Sequence, residues 1–200
     1  NATVHTQKDL KYDPRLPTYV SCDFGFRKPG VVVFQVETNT KGLPTIYQID
    51  EIAMKQNVKT EDLASMVKAL PYPIAAYFGD PAGGGRSSQS GISDIEVFRR
   101  KGMRIRFRKD SMTRNVVNGV SHVRRWFEDA NGDAHIFVSS KCKGSIQSYE
   151  NYRYPQNKSE QSVKEEPLKD GVYDHQCDAL RYGICNLFPI KSRQAGVIDW

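Results

Sequence analysis

The sequence predicts an α/β domain, a mixed central sheet with helices on both faces. Three observations carry that prediction. Three strand-like runs come first, at Tyr19–Phe24, Val31–Val36 and about Thr45–Met54. Helical and strand-like segments then alternate to the end of the chain. The 200 residues, 38% hydrophobic and 26% charged, have the balance of an ordinary globular domain with one full core. Consecutive strands can pair through short turns, whereas parallel strands need helical crossovers, so this order implies a mixed sheet.

Each element has its own justification. In "YVSCDF", Val20, Cys22 and Phe24 alternate with Ser21 and Asp23, the period of a half-buried strand. Gly25 ends that run, and Val31 to Val36 forms a second, β-branched and more apolar strand. Ile46, Tyr47, Ile49 and Ile52 mark the third. "TEDLASMVKAL" opens a helix with Thr60 as N-cap, acids in the first turn, and Leu63, Met66, Val67 and Leu70 at helical spacing. Pro71 and Pro73 end it. Ile74 to Asp80 is a short buried strand, expected parallel to the first. A helix "SDIEVFRRKG" and an alternating strand "MRIRFR" follow. "SMTRNVVNGVSHVRRWFEDA" reads as one long helix with Val116, Val117, Val120, Val123, Trp126 and Phe127 on its apolar side. "AHIFVSS" is a further strand and "DHQCDALRYGICNLF" the final helix. This is the layout of the ribonuclease H-like fold.

The expected domain spans residues 19–190. Residues 1–18, polar with Pro14 and Pro17, read as a linker or N-terminal extension without a signal peptide, as in a domain cut from a longer protein. Residues 149–169, rich in Tyr and charge, read as a protruding hairpin or flap, and 191–200 as a tail. The longest apolar stretches, such as Val31 to Phe34, are too short to cross a bilayer. Cys22, Cys142, Cys177 and Cys185 form no C-x-x-C pair, which predicts reduced thiols in an intracellular protein.

The chemistry centres on acids. Asp23 puts a carboxylate inside a central strand, which is costly unless it is paired, hydrogen-bonded or bound to metal. Asp80 ends a strand before Pro81 and a Gly-rich loop, at the place where parallel sheets bind ligands. Asp174 and Asp178 are i,i+4 and His175 and Asp178 are i,i+3, so all three share roughly one helix face. Each has an ordinary reading alone: Asp80 as a turn residue, Asp174 as a helix N-cap, His175 as a surface histidine, Asp178 as a partner of Arg181. Three acids from three elements are harder to dismiss. Their clustering demands cations, and oxygen donors favour Mg²⁺ or Mn²⁺. Two such ions about 3.5–4 Å apart can activate water and stabilise the leaving oxygen of a phosphodiester. The expected catalytic and metal-binding acids are Asp23, Asp80 and Asp178, with Asp23 bridging and His175 and Asp174 as further ligands. The Gly-rich "GDPAGGGRSSQSG" lacks a P-loop signature, and the four histidines do not cluster at zinc spacing.

Net charge is +6, from 29 Lys+Arg against 23 Asp+Glu, and the excess is uneven. Arg99 to Arg114 holds eight basic residues and one acidic, which suits a polyanionic partner. Candidate DNA contacts are Arg86 in the Gly-rich loop, Arg104, Arg106, Arg108 and Lys109 in the basic run, and Arg153, Lys158, Lys164 and Lys169 in the flap.

Three stretches, "SCDFGFRKPGVVVF", "YFGDPAG" and "DHQCDALRYG", resemble in that order the nuclease domain of the large terminase subunit of tailed double-stranded DNA phages. The likeness spans about residues 19 to 188. It implies a ribonuclease H-like fold and a metal-dependent endonuclease that cuts concatemeric viral DNA during capsid filling, in the host cytoplasm. It implies that Asp23, Asp80 and Asp178 are the metal-binding acids and His175 a site-adjacent histidine. It also implies the small terminase subunit, the portal protein and the procapsid as partners. The family's packaging ATPase has no counterpart here, since the chain carries no Walker A motif; the isolated domain is expected to be monomeric. The alternatives are another ribonuclease H-like nuclease, such as a Holliday-junction resolvase or a transposase-type enzyme, and a non-catalytic nucleic-acid-binding module.

Overall fold

The computed structural model of the chain describes residues 2–24, 28–38, 43–53, 57–85, 92–155 and 166–190. In chain order these form α1 (Ala2–His5), β1 (Thr6–Gln7), β2 (Thr18–Asp23), β3 (Gly30–Glu37), β4 (Thr45–Ala53), α2 (Thr60–Lys68) and β5 (Ile74–Gly79). A 3₁₀ turn at Pro81–Gly84 follows, then α3 (Asp94–Arg100), β6 (Ile105–Arg106), α4 (Ser111–Arg114) and α5 (Val116–Phe127). The last elements are β7 (Ile136–Ser139), α6 (Lys143–Asn151) and α7 (Asp174–Leu187).

The strands make one sheet in the order β1-β7-β4-β3-β2-β5-β6. Only β3 runs against its neighbours; the pairs β2·β5, β4·β7, β5·β6 and β1·β7 are parallel. β2, β4 and β5 therefore all end at one edge of the sheet, and β3 begins there. This is the mixed, ribonuclease H-like α/β sheet that the sequence predicts, with β5 parallel to β2.

Helices cover both faces. On one, Val20, Cys22, Val31 and Val33 pack with Leu63, Val67, Val97 and Phe98 of α2 and α3. On the other, Val32, Phe34 and Val36 pack with Trp126 of α5 and Ala179, Leu180 and Ile184 of α7. β2 is thus buried on both sides, not half-buried: Ser21 is as inaccessible as Val20. Alternation decides instead which helix layer a residue meets. Val20 and Cys22 turn toward α2 and α3, while the opposite parity puts Ser21 under Gly183 of α7 and aims Asp23 the same way.

Several boundaries differ from the sequence prediction, each for a local reason. The long helix from Ser111 is two helices, because Asn115 adopts extended backbone (φ −71°, ψ 120°) and its side chain caps the Asn118 N–H at 2.9 Å. The N-cap of α2 is Lys59, and the Thr60 hydroxyl bonds Asp94 at 2.5 Å instead. The start of the expected linker joins the sheet: Thr6 and Gln7 pair with Val138 and Ser139, covering an edge that would otherwise stand unpaired. The first residues of the expected flap, Tyr149 to Asn151, complete α6, a helix hidden in a polar stretch. Its N-terminus is held by the Glu51 carboxylate, which accepts from the Gly144 and Ser145 N–H groups at 2.8 and 2.6 Å. Residues 156–165 of that segment and the tail 191–200 lie outside the described residues. No described helix is long and apolar enough to cross a membrane.

Candidate active site

The acids converge where the parallel strands end. Asp23 closes β2 and Asp80 follows β5, and the register Cys22↔Gly79 makes them neighbours across the sheet. α7 brings the third acid. It can lie close to the sheet because Gly30, paired with Asp23, has no side chain: a Cβ there would fall 2.6 Å from the His175 carbonyl oxygen. The first turns of α7 are thereby set down over the end of β2, with His175 bonded to Asp23 and Asp178 near enough to act on its charge.

Basic side chains of the chain itself hold two of these acids, Asp23 and Asp178. His175 Nδ1 lies 2.8 Å from Asp23 Oδ2. Arg181 donates to Asp178 Oδ1 from Nε and Nη2 at 3.1 and 2.9 Å, and Lys169 Nζ is bonded to Asp178 Oδ2. Asp80 caps the 3₁₀ turn by accepting the Ala82 N–H at 2.8 Å. Asp174 is not an N-cap; that place belongs to Tyr173, and Asp174 is buried with its Oδ1 lacking a hydrogen-bond partner. His175 Nε2 approaches that oxygen only to 4.0 Å.

Electrostatics follow from burial and crowding. Desolvation pushes the Asp23 carboxyl above the ordinary carboxylate range; the bond from His175 opposes this, and the charges of Asp178 and Asp80 add to it. The Asp23 carboxylate in turn raises His175, against the effect of burial. Tyr152 beside them is raised, chiefly by burial and then by Asp178. Among the described residues no three His, Cys, Asp or Glu side chains stand close enough together to hold an ion as they are placed.

Two clefts border this region. One, of about 590 Å³, is lined by Asp80, Arg108, Lys109, Thr113, Arg114 and Lys169. The Thr113 hydroxyl is buried there without a hydrogen-bond partner. The other, of about 490 Å³, is lined by His175 and Tyr173 together with Lys28 and Lys143. Of the expected DNA contacts, Arg108 and Lys109 border the first cleft. Arg108 is paired with Asp110 at 2.8 Å, and Lys109 lies over the Phe107 ring. Arg104, just before the edge strand β6, and Arg106 within it are exposed. Arg153 borders a separate cavity of about 150 Å³ between α5 and α7. Arg86, Lys158 and Lys164 lie outside the described residues. Lys169, also expected against phosphate, is bonded to Asp178 and borders the first cleft. Sequence reasoning passed over Arg114, Thr113, Lys28 and Lys143. Arg114 closes the basic run and was within reach; the others carry no local signal. All four cysteines are free thiols, as expected.

No family model matches the chain. Among curated proteins it is 22% identical over 182 residues to the large terminase subunit of Escherichia phage T5, which covers 89% of this chain. The chain spans only 37% of that relative's length. Among solved structures it is similar to the P22 large terminase nuclease domain, with a TM-score of 0.66 over 92% of this chain and 87% of that one, at 15% identity. The likeness to terminase nuclease domains that the three sequence stretches carry is thus borne out, in sequence by the phage T5 subunit and in fold by the P22 domain.

Proposed function

We propose that this chain is a metal-dependent DNA endonuclease domain that cuts double-stranded viral DNA during genome packaging. The observation that carries the reading is the convergence of Asp23 at the end of β2, Asp80 just after β5 and Asp178 of α7 toward the edge where the parallel strands end, near enough for Asp178 and Asp80 to act on the Asp23 charge. The likeness to terminase large subunits supports the substrate class and the setting, with the small subunit, the portal protein and the procapsid as proposed partners of the whole protein.

The donor chemistry suits a hard divalent ion, although among the described residues no three such side chains stand close enough together to hold one as placed. Their donors are carboxylate oxygens, their negative charge is crowded and partly desolvated, and Asp174 keeps a buried oxygen without a partner. Asp23, Asp80 and Asp178 would hold Mg²⁺ or Mn²⁺, with Asp174 and His175 beside them. Bound there, such ions supply a water activated at neutral pH and charge to stabilise the leaving oxygen. The chain's own contribution is positional. Gly30 lets α7 approach, Arg181 fixes the Asp178 carboxylate, and His175 orients Asp23. Arg108, Lys109 and Arg114 offer cationic donors along one cleft, where backbone phosphates would fix the duplex without reading its sequence.

The test is substitution of two acids that keeps shape and removes charge. Asp23→Asn and Asp178→Asn should each lower Mn²⁺-supported cleavage of duplex DNA about a hundredfold or more, the loss expected when one preorganised charge-stabilising group is removed. Circular dichroism and melting curves should show both variants folded. Near-parental cleavage by folded Asp23→Asn would remove the basis of the reading.

A further inference from the structure

We propose that Lys169 is a tethered cation that occupies the metal place at Asp178 in the DNA-free protein and must leave it before a divalent ion can bind there. The proposal rests on the nuclease reading above. Both oxygens of the buried Asp178 carboxylate are taken, Oδ1 by Arg181 and Oδ2 by Lys169. These two cations are not equivalent.

Arg181 is 5% exposed, lies over the Tyr182 ring with its guanidinium carbon 4.5 Å from the ring centre, and is wedged against Gly119. A Cβ at Gly119 would meet the Arg181 Cδ at 2.7 Å, so the arginine has no room to turn toward α5. Lys169 is 44% exposed and comes from a stretch with neither helix nor strand. Asp170 anchors the chain just after it, accepting the Val172 and Tyr173 N–H groups at 2.8 and 2.9 Å. The backbone beside Lys169 is therefore held at the mouth of the site, while its four-carbon stem can swing. Of the two partners of Asp178, Lys169 is the one that can depart.

Lys169 borders the cleft that also holds Asp80, Arg108, Lys109 and Arg114. A phosphate entering that cleft offers the ammonium an alternative anion. An ammonium and a divalent ion on one carboxylate oxygen repel each other strongly at such short range. DNA in the cleft would draw Lys169 off Asp178 and so expose Oδ2 to the ion. Loading of the site is thereby linked to the presence of substrate, and by reciprocity a loaded site holds DNA more tightly.

The experiment is calorimetric titration of Mn²⁺ into metal-free protein without DNA, for the parent, Lys169→Gln and Lys169→Arg, beside a plasmid cleavage assay of the parent. Lys169→Gln should bind Mn²⁺ about tenfold more tightly than the parent, a coupling of ordinary size. Lys169→Arg, which keeps the charge, should stay near the parent. Equal or weaker binding by Lys169→Gln, in a parent that binds Mn²⁺ and cuts DNA, overturns the lysine proposal alone. A parent that neither binds Mn²⁺ nor cuts overturns the nuclease reading and the lysine proposal with it.

Discussion

At the scale of single residues, Asp23 shows how a costly group is kept in a central strand. Its burial favours the neutral form, and His175 only partly offsets that. The charges of Asp178 and Asp80 add to that cost. His122 behaves differently and gives a clean pH signature away from the acids. It sits on α5, half-buried, with Nε2 2.8 Å from the Phe188 carbonyl oxygen and its ring edge-on to Trp126. Burial holds its pKa below the usual value of about 6.5. A depressed value means that its contribution to stability is present above the unfolded value and is lost as pH falls through the folded one. His175 is raised and acts in the opposite sense, so the difference between two proteins is the useful quantity. The melting temperature of the parent minus that of His122→Gln should shrink as pH falls from 8 to 5. A difference that stays constant or grows would show that His122 is not held neutral.

At the scale of elements, α7 is the part that makes the site. Gly30 sets its height over the sheet, and Gly183 lets it settle on Ser21 and Phe34. Gly30→Val should cost about 1–3 kcal/mol, the usual range for overpacking a tight site. For a chain of this size each kcal/mol corresponds to a fall in melting temperature of about 2–4 °C. Cleavage should fall further than stability alone requires, since His175 and Asp178 would be lifted from Asp23. Parental melting and cleavage in that variant would mean that the close approach positions nothing. The sequence made the partners of this contact legible: the alternation around Asp23, the strand ending at Asp80 and the i,i+4 acids of the last helix all sit where pattern reading puts them. The contact itself was not legible. Nothing local marks Gly30 as the point where a helix 145 residues later touches down. The break at Asn115 was missed because the apolar residues of the two helices continue in phase across it. α6 was missed because its support is a carboxylate from a distant strand and a buried polar network: Gln48 donates to the Ser145 hydroxyl at 2.6 Å and accepts from the Tyr149 hydroxyl at 2.7 Å.

At the scale of the whole molecule, one edge of the sheet concentrates the chemistry. Asp80 lines one cleft and His175 another, and basic side chains line both. Fold class and the three central acids were readable because strand order fixes which ends meet. The arrangement of cations was not, since it depends on side chains arriving from the Arg108–Arg114 stretch, from Lys169 and from Lys28. Lys169 is the clearest case: its bond to Asp178 carries no signal in the sequence. The central claim, that these acids work through divalent ions on DNA, is tested most directly by incubating the purified chain with supercoiled plasmid in Mn²⁺ and in excess chelator. The account predicts nicked and linear products with Mn²⁺ and intact plasmid with chelator. Cleavage that persists in chelator, or plasmid that stays intact in both, would contradict it.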